Sequence, residues 1–181
     1  MTEQELVEGC IREDRICQRE LWNRYSKKIM SLCLRYCNSQ EEAEDALMEA
    51  YVKIYDNLAK FRFQSSLETW MRRVAVNLCI NKIRARKHIW TSITDDEYRL
   101  GYADDAFEDL QVNQIMKMVE ALPVGYRTVF NLFAVEGFSH AEIAQMLEIS
   151  ESTSKSQYRK ARLRLLRVLQ NQNNRSKSHE K

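Results

Sequence analysis

The chain has 181 residues, enough for one ordinary domain or two small ones. With 44% apolar and 30% charged residues it can bury cores, and its four glycines and one proline argue for helices joined by short turns over sheets. No apolar run approaches the roughly 18 residues of a membrane span, and the acidic N-terminus, MTEQELVEG, lacks a signal-peptide core, so the expected compartment is the cytoplasm.

The net charge of +2 hides its distribution. Residues 61–90 hold seven Lys and Arg against one Glu, residues 91–110 hold seven Asp and Glu against one Arg, and residues 151–170 hold six basic residues against one Glu. Two basic blocks flanking an acidic one point to a polyanion partner and an acidic connector.

In chain order, residues 4–18 and 20–37 read as amphipathic helices, the second with Leu21, Tyr25, Ile29, Leu32 and Tyr36 on one face. Ser39 and Glu42 form a capping box ahead of a helix whose stripe is Ala43, Ala46, Leu47, Ala50, Tyr51, Ile54 and Leu58. Its other face carries Glu44, Asp45, Glu49 and Lys53. Residues 61–66 break the pattern. Ser65 and Glu68 then form a second capping box before a helix to about Lys87, with Leu67, Trp70, Met71, Val74 and Leu78 on its apolar face.

Residues 90–109 lose periodicity and read as a linker, spanning at most roughly 65 Å when extended. A second small domain follows. It has a helix over 110–121, a turn at Pro123-Val124-Gly125, a helix over 126–136 stopped by Gly137, and a helix from the Ser139–Glu142 capping box through Leu147. After a tight turn, Glu148-Ile149-Ser150, a long basic helix runs to about Leu169. The polar tail, residues 171–181, is expected to be disordered.

The five cysteines, Cys10, Cys17, Cys33, Cys37 and Cys79, are odd in number and read as small buried thiols. His88, His140 and His179 are too scattered to complete a metal site, so no metal or other cofactor is expected. No phosphate-binding glycine loop or nucleophile elbow is present, and the acids of 90–109 lack regular spacing; no catalytic residue is expected.

Residues 139–167 describe a helix-turn-helix: a capped short helix held by Ala141, Ile143, Ala144 and Leu147, a three-residue turn, then a basic helix. The first residues of the second helix would enter the major groove. Ser152, Thr153, Lys155, Ser156 and Gln157 stand there, followed by Arg159 and Lys160. Lysine and arginine suit phosphates, and glutamine can pair in bidentate fashion with adenine. The competing reading is a helical hairpin with a solvated basic face; the order of cap, turn and basic helix favours the first.

The stretch ALPVGYRTVFNLFAVEGFSHAEIAQMLEISESTSKSQYRKARLRL resembles the fourth conserved region of bacterial RNA polymerase sigma factors. The resemblance lies in Leu122-Pro123, Arg127, Val129-Phe130, Glu136-Gly137, Ser139, Glu142-Ile143-Ala144, Ile149-Ser150, Thr153, Lys155-Ser156, Arg159-Lys160-Ala161-Arg162 and Leu165. It implies recognition of the minus-thirty-five promoter element and contact with the polymerase flap. Ser154 stands where the family is usually apolar, and Gln157 where arginine is frequent.

Phe61-Arg62, Ser65-Ser66, Thr69-Trp70, Ala75 and Asn77 resemble the same family's second region, as do Ala43-Glu44-Asp45-Ala46 and Glu49-Ala50-Tyr51 upstream. The resemblance implies that Glu44, Asp45, Met48 (usually glutamine), Glu49 and Lys53 dock on the polymerase clamp. Promoter opening requires a base to leave the stack for a receiving pocket. Phe63, Gln64, Ser65 and Ser66 are the expected loop for it, with Asn77 on the base edge and Arg72, Arg73, Lys82, Arg84, Arg86 and Lys87 on the backbone. Trp70 and Phe61 are expected to pack in the core. The acidic linker is either a solvated connector or, as the family implies, a nucleic-acid mimic along the template and RNA path.

Together these features resemble an extracytoplasmic-function (ECF) sigma factor. The expected protein is all-α, with residues 1–89 as region 2, 90–109 as linker and 110–170 as region 4. Its expected partners are core RNA polymerase, promoter DNA and an anti-sigma factor. The rival is a polymerase-independent helix-turn-helix regulator with an N-terminal helical dimerisation or ligand domain.

Overall fold

The computed structural model describes residues 1–85 and 110–179, with side chains over 1–85 and 114–170. Arg86, Lys87 and the acidic segment 90–109 lie outside the described residues. The chain divides into two compact units, Met1–Ala85 and Arg86–Lys181. Every described element is helical, and among these helices none is long and apolar enough to cross a membrane.

The first unit contains α1 (Glu3–Ile11), α2 (Arg15–Tyr36), α3 (Gln40–Asn57) and α4 (Leu67–Ala85), with a 3₁₀ turn at Leu58–Lys60. Thr2 and Glu5 cap α1 reciprocally: Thr2 N–H donates to Glu5 Oε2 at 2.7 Å, and Glu5 N–H to Thr2 Oγ1 at 3.2 Å. The expected helix over 4–18 is broken at Arg12–Asp14. Glu13 takes a left-handed φ of 61°, and Asp14 opens α2 by accepting from Ile16 N–H at 2.8 Å. A short acidic side chain beside a free N–H competes with continued helix, which apolar periodicity does not report.

Helices α2, α3 and α4 pack against one another, and α1 closes over α2 and the 3₁₀ turn. All seven stripe positions expected on and after α3 are buried. On α2, Leu21, Ile29, Leu32 and Tyr36 are buried and Tyr25 is half-buried. Ser39 caps α3 through Glu42 N–H at 3.1 Å, while Glu42 accepts from Asn38 N–H at 3.0 Å.

All five cysteines are buried free thiols. Burial pushes the Cys10 thiol up to about 11. Cys79 hydrogen-bonds with Cys33 and Cys37, which raises it far above the usual thiol range.

The second unit contains α5 (Leu110–Glu120), α6 (Val124–Phe130), a π-helical turn at Asn131–Val135, α7 (His140–Leu147) and α8 (Glu151–His179). Met118, Val119, Leu122, Tyr126, Ala161, Leu165 and Val168 form its core, with Phe130 and Leu169 packed on them. The expected Pro123-Val124-Gly125 turn is the start of α6: Pro123 is the N-cap at φ −51°, a value suited to entering a helix. The expected helix over 126–136 widens at its end, where Glu136 N–H reaches Asn131 O at 2.9 Å, and Gly137 at φ 80° stops it. Arg127, 8% exposed, donates from Nη1 to Glu120 O at 2.9 Å and so satisfies the end of α5.

Two further expectations are corrected. Ala141 is exposed, because Ile143 and Leu147, one turn apart, define the inner face of α7 and Ala141 lies off it. Helix α8 continues to His179, past the expected end near Leu169. No proline or glycine interrupts this segment.

At Gly9, α1 packs tightly on α2: a Cβ there would lie 2.2 Å from Cys17 Sγ and 2.8 Å from Cys17 Cβ. Gly9→Ala is therefore expected to destabilise the first unit by about 1–3 kcal/mol through overpacking, despite alanine's better helix propensity. A urea titration of the full chain followed by circular dichroism checks this. Glu8→Ala, at an exposed neighbour, is the control expected within about 0.5 kcal/mol of the parent. Equal midpoints for the two variants would mean the contact is not tight.

Candidate nucleic-acid interface

The segment between the 3₁₀ turn and α4 is anchored by one aromatic ring. Phe61 is 7% exposed; its centroid lies 4.7 Å from Phe63 and 5.4 Å from Trp70. Phe63 is 49% exposed and has φ 55°, a conformation costing a bulky residue about 1–3 kcal/mol. An exposed aromatic held in a strained turn is a reason to suspect function. Apolar periodicity contains no trace of it, since backbone dihedrals are not written in spacing.

Gln64, Ser65 and Ser66 are exposed beside it. The helix cap is Ser66, not Ser65: Ser66 Oγ accepts from Thr69 N–H at 3.2 Å and lies 2.8 Å from Thr69 Oγ1. Ser65 Oγ donates to Ser66 O at 3.3 Å. Glu68, the expected capping partner, pairs with Lys28 of α2 at 2.5 Å. The N–H of Leu67 is taken by Glu3 from α1.

Along α4 the buried residues are Leu67, Met71, Ala75, Val76, Leu78, Cys79, Ile80 and Ile83. Trp70 and Val74 are only half-buried, which corrects the expected stripe and moves Trp70 out of the core. Trp70, Asn77 and Arg84 are seven residues apart, nearly two turns, and so almost in line, about 10 Å per step. Arg73 lies between Trp70 and Asn77 on the same side; Arg73 and Asn77 are exposed. The fold thus brings Phe63, Gln64, Ser65 and Ser66 to the head of one row and sets Trp70, Arg73, Asn77 and Arg84 along it. Arg72 is half-buried off this row. Lys82 turns toward α3, where its Nζ lies 2.5 Å from Glu49 Oε1, a bond that raises the Lys82 pKa.

Glu44, Asp45, Met48, Glu49 and Lys53 are all exposed on α3. Val52, one turn from Met48, is 59% exposed against 58% for Met48, so the acidic face carries an apolar pair. Its signal in sequence is a valine outside the buried stripe.

In the second unit, Ser139 and Glu142 cap α7 reciprocally: Ser139 N–H donates to Glu142 Oε2 at 2.8 Å, and Glu142 N–H to Ser139 Oγ at 3.2 Å. Glu148 at φ 56° makes the turn, and Ser150 Oγ caps α8 by accepting from Thr153 N–H at 3.0 Å. Ser152 and Thr153 hydroxyls lie 2.8 and 2.7 Å from Ser150 Oγ, within this cap.

Lys155, Ser156, Arg159 and Lys160 are exposed. Lys155 pairs with Glu151 at 2.6 Å and holds that carboxyl below its usual range; Ser156 Oγ donates to Thr153 O at 2.9 Å. Lys160 leans over the Tyr126 ring at 6.0 Å. Gln157 is half-buried, and its Oε1 is buried with no hydrogen-bond partner. Ser154, where an apolar residue is usual, is fully buried with its Oγ 2.9 Å from His140 Nδ1.

Residues 21–89 match the model of sigma-70 region 2, and residues 113–165 that of sigma-70 region 4. The chain is 31% identical to the ECF RNA polymerase sigma factor SigW of Bacillus subtilis, over 80% of this chain and 84% of that protein. It is 30% identical to the ECF RNA polymerase sigma-E factor of Escherichia coli K12, over 90% and 91%. It is 28% identical to the ECF RNA polymerase sigma factor SigM of Mycobacterium tuberculosis, over 91% and 83%. Its fold resembles that of the sigma factor RpoE of Bartonella quintana, solved with the anti-sigma factor NepR (TM-score 0.53, 19% identity, 84% of this chain and 96% of that one). These matches, over both units, place the chain among the ECF sigma factors, the proteins that direct RNA polymerase to specific promoters.

Proposed function

We propose a division of labour within this sigma factor. The Phe63–Ser66 loop and the α4 row capture a base of the minus-ten element and hold the melted strand, the start of α8 reads the minus-thirty-five element, and α3 docks on the polymerase clamp. The observation that carries this reading is the row on α4. A strained, exposed Phe63 heads it, and a half-buried Trp70, a basic Arg73 and a polar Asn77 follow on one face. Aromatic faces stack on bases without regard to sequence, polar edges read them, and cations hold the phosphates. Arg84 continues this row, Arg86 and Lys87 would extend it, and Arg72 would reach the backbone from outside it.

Lys82 has a different part in this reading. Its pairing with Glu49 makes it a strut between the clamp face and the DNA face. On α3 the acids suit a basic clamp surface, and Met48 and Val52 supply apolar contact within it. Residues 1–89 and 110–170 act as separate modules joined by the acidic 90–109 linker, which mimics nucleic acid in the polymerase channel or spans it as a solvated tether. Polymerase supplies the chemistry, and this chain works in the cytoplasm without a catalytic residue of its own. An anti-sigma protein is the expected regulator, since the Bartonella protein of similar fold was solved with one.

Asp45→Lys is expected to weaken binding of core polymerase about tenfold at moderate salt, leaving helical content unchanged. It is cleaner than Glu49→Lys, which also breaks the Lys82 pair. An unchanged affinity in a fluorescence titration would remove α3 from the interface.

Asn77→Ala leaves a captured base edge unpaired, a loss of about 1–3 kcal/mol. The duplex state is untouched, so the equilibrium shifts toward closed complex while core binding survives. Permanganate footprinting and run-off transcription separate the steps, and a pre-melted template should restore part of the output. Full opening of duplex promoters by the variant would place the base pocket elsewhere.

Gln157→Ala tests whether the half-buried amide turns out to read DNA. A reader would lose about 1–3 kcal/mol of discrimination at one or two upstream base pairs. Lys155→Ala should weaken binding to all sequences alike and reduce the salt slope by about one. An unchanged base profile for Gln157→Ala would leave reading to Ser156 and Arg159.

A further inference from the structure

The inner face of α8 runs Ser154, Tyr158, Ala161, Leu165, Val168, the i, i+4, i+7 spacing of a packed helix. Every member but the first is apolar or aromatic. Ser154 is fully buried, and a hydroxyl buried without a partner is costly. Its partner is a residue of the other helix: His140 Nδ1, at 2.9 Å.

The imidazole is held in plane as well as in direction. Its ring stacks on Phe133 at 4.3 Å and 11°. Phe133 in turn meets Tyr158 at 4.6 Å, and Tyr158 lies 5.9 Å from Phe130. Phe133 stands in the π-helical turn at Asn131–Val135.

The position of this bond matters. His140 is the first residue of α7, and Ser154 is in the first turn of α8. Farther along α7, the inward residues Ile143 and Leu147 are apolar and buried. Apolar contact is non-directional and leaves an angle free, whereas a hydrogen bond weakens steeply when its geometry is lost. The two helices are therefore pressed together at one end of α7 and aligned at the other.

We propose that the His140–Ser154 hydrogen bond, with His140 clamped on Phe133, is the positioning device that sets the orientation of α8 and so the promoter specificity of its outward row, Lys155, Ser156 and Arg159. Neither residue touches DNA in this role. A recognition row must be held to within about 0.5 Å to discriminate bases, and loose apolar packing keeps a fold without keeping that tolerance. The proposal rests on α8 being the upstream reader.

The test uses the full chain with core polymerase and a promoter library randomised across the upstream element. The bound fraction is sequenced, and affinities are then measured for the best and a scrambled sequence. Ser154→Ala removes the hydroxyl, and His140→Phe keeps the ring stack but removes Nδ1. Each is expected to cut the best-to-scrambled ratio by about tenfold, with affinity for the scrambled duplex within about twofold of the parent. The double variant should lose no more than either single one, because one bond is removed in all three. His140→Asn, with an amide group near the Nδ1 position, should recover part of the ratio.

An unchanged ratio in Ser154→Ala overturns the proposal, as do losses that multiply in the double variant. A parallel fall of both affinities also overturns it, since that is the signature of a purely structural role. Arg159→Ala separates this from the underlying assignment. If it alters the base profile and Ser154→Ala does not, the pair alone has failed; if neither does, α8 is not the reader.

Discussion

Helix α3 turns Ala43, Ala46 and Ala50 inward, all fully buried, and the first unit depends on that stripe of small residues. Both α2 and α4 pack against α3. Short side chains let backbones come close, and at Gly9 the Cys17 side chain makes the same demand. Close packing brings the outer faces of α3 and α4 together. One is acidic with an apolar pair, the other polar and basic. Where they meet, Lys82 and Glu49 pair across elements 33 residues apart in sequence. An exposed pair of this kind adds at most about 1 kcal/mol, so its effect is to order the seam between two faces more than to stabilise the fold.

The second unit solves a different problem. Its helices α6 and α7 are short, so a large share of their backbone groups are at helix ends and need partners. Ser139 with Glu142 supplies them at the start of α7, and Ser150 with Thr153 and Arg127 with the Glu120 carbonyl do the same at the start of α8 and the end of α5. The π-helical turn belongs to the same set of adjustments, ending α6 through the Glu136–Asn131 bond. Polar groups enter this small core because the helix ends are part of it. The buried Ser154 and its histidine are a case in point.

Partner recognition follows from leaving one side of each helix unburied. On α4 the outward row begins at a strained aromatic turn and runs toward the basic end of the helix. On α8 the first residues are partly committed to capping and to the Glu151–Lys155 pair, which narrows the outward set. Charge alone would have assigned every lysine and arginine of both helices to DNA. Lys82 and Lys160 have partners of their own, a carboxylate and a tyrosine face, because long side chains reach whatever lies beside them.

Much of this was legible in the residues. The α3 stripe was, because a helix with one buried face must repeat every three to four residues. So were the Ser139–Glu142 box, the basic blocks and the two-region family pattern, all local features. The identity of the α4 cap was not: two serines are adjacent, and the choice of Ser66 depends on where the loop turns under Phe61. Trp70 fits either face by spacing, and only the placement of Phe61 shows where it leans. Gln157 reads as a base contact from its position, but its buried Oε1 depends on neighbours that the helix itself does not contain. The sequence by itself determined that the chain is helical, where most of its helices lie and what family they serve, because those rest on near-neighbour periodicity and capping; the break at Arg12–Asp14 was not among them. Tertiary structure decided which side chains remain available to partners, because hydrogen bonds and packing between distant segments claim them, and such pairings leave no period to read.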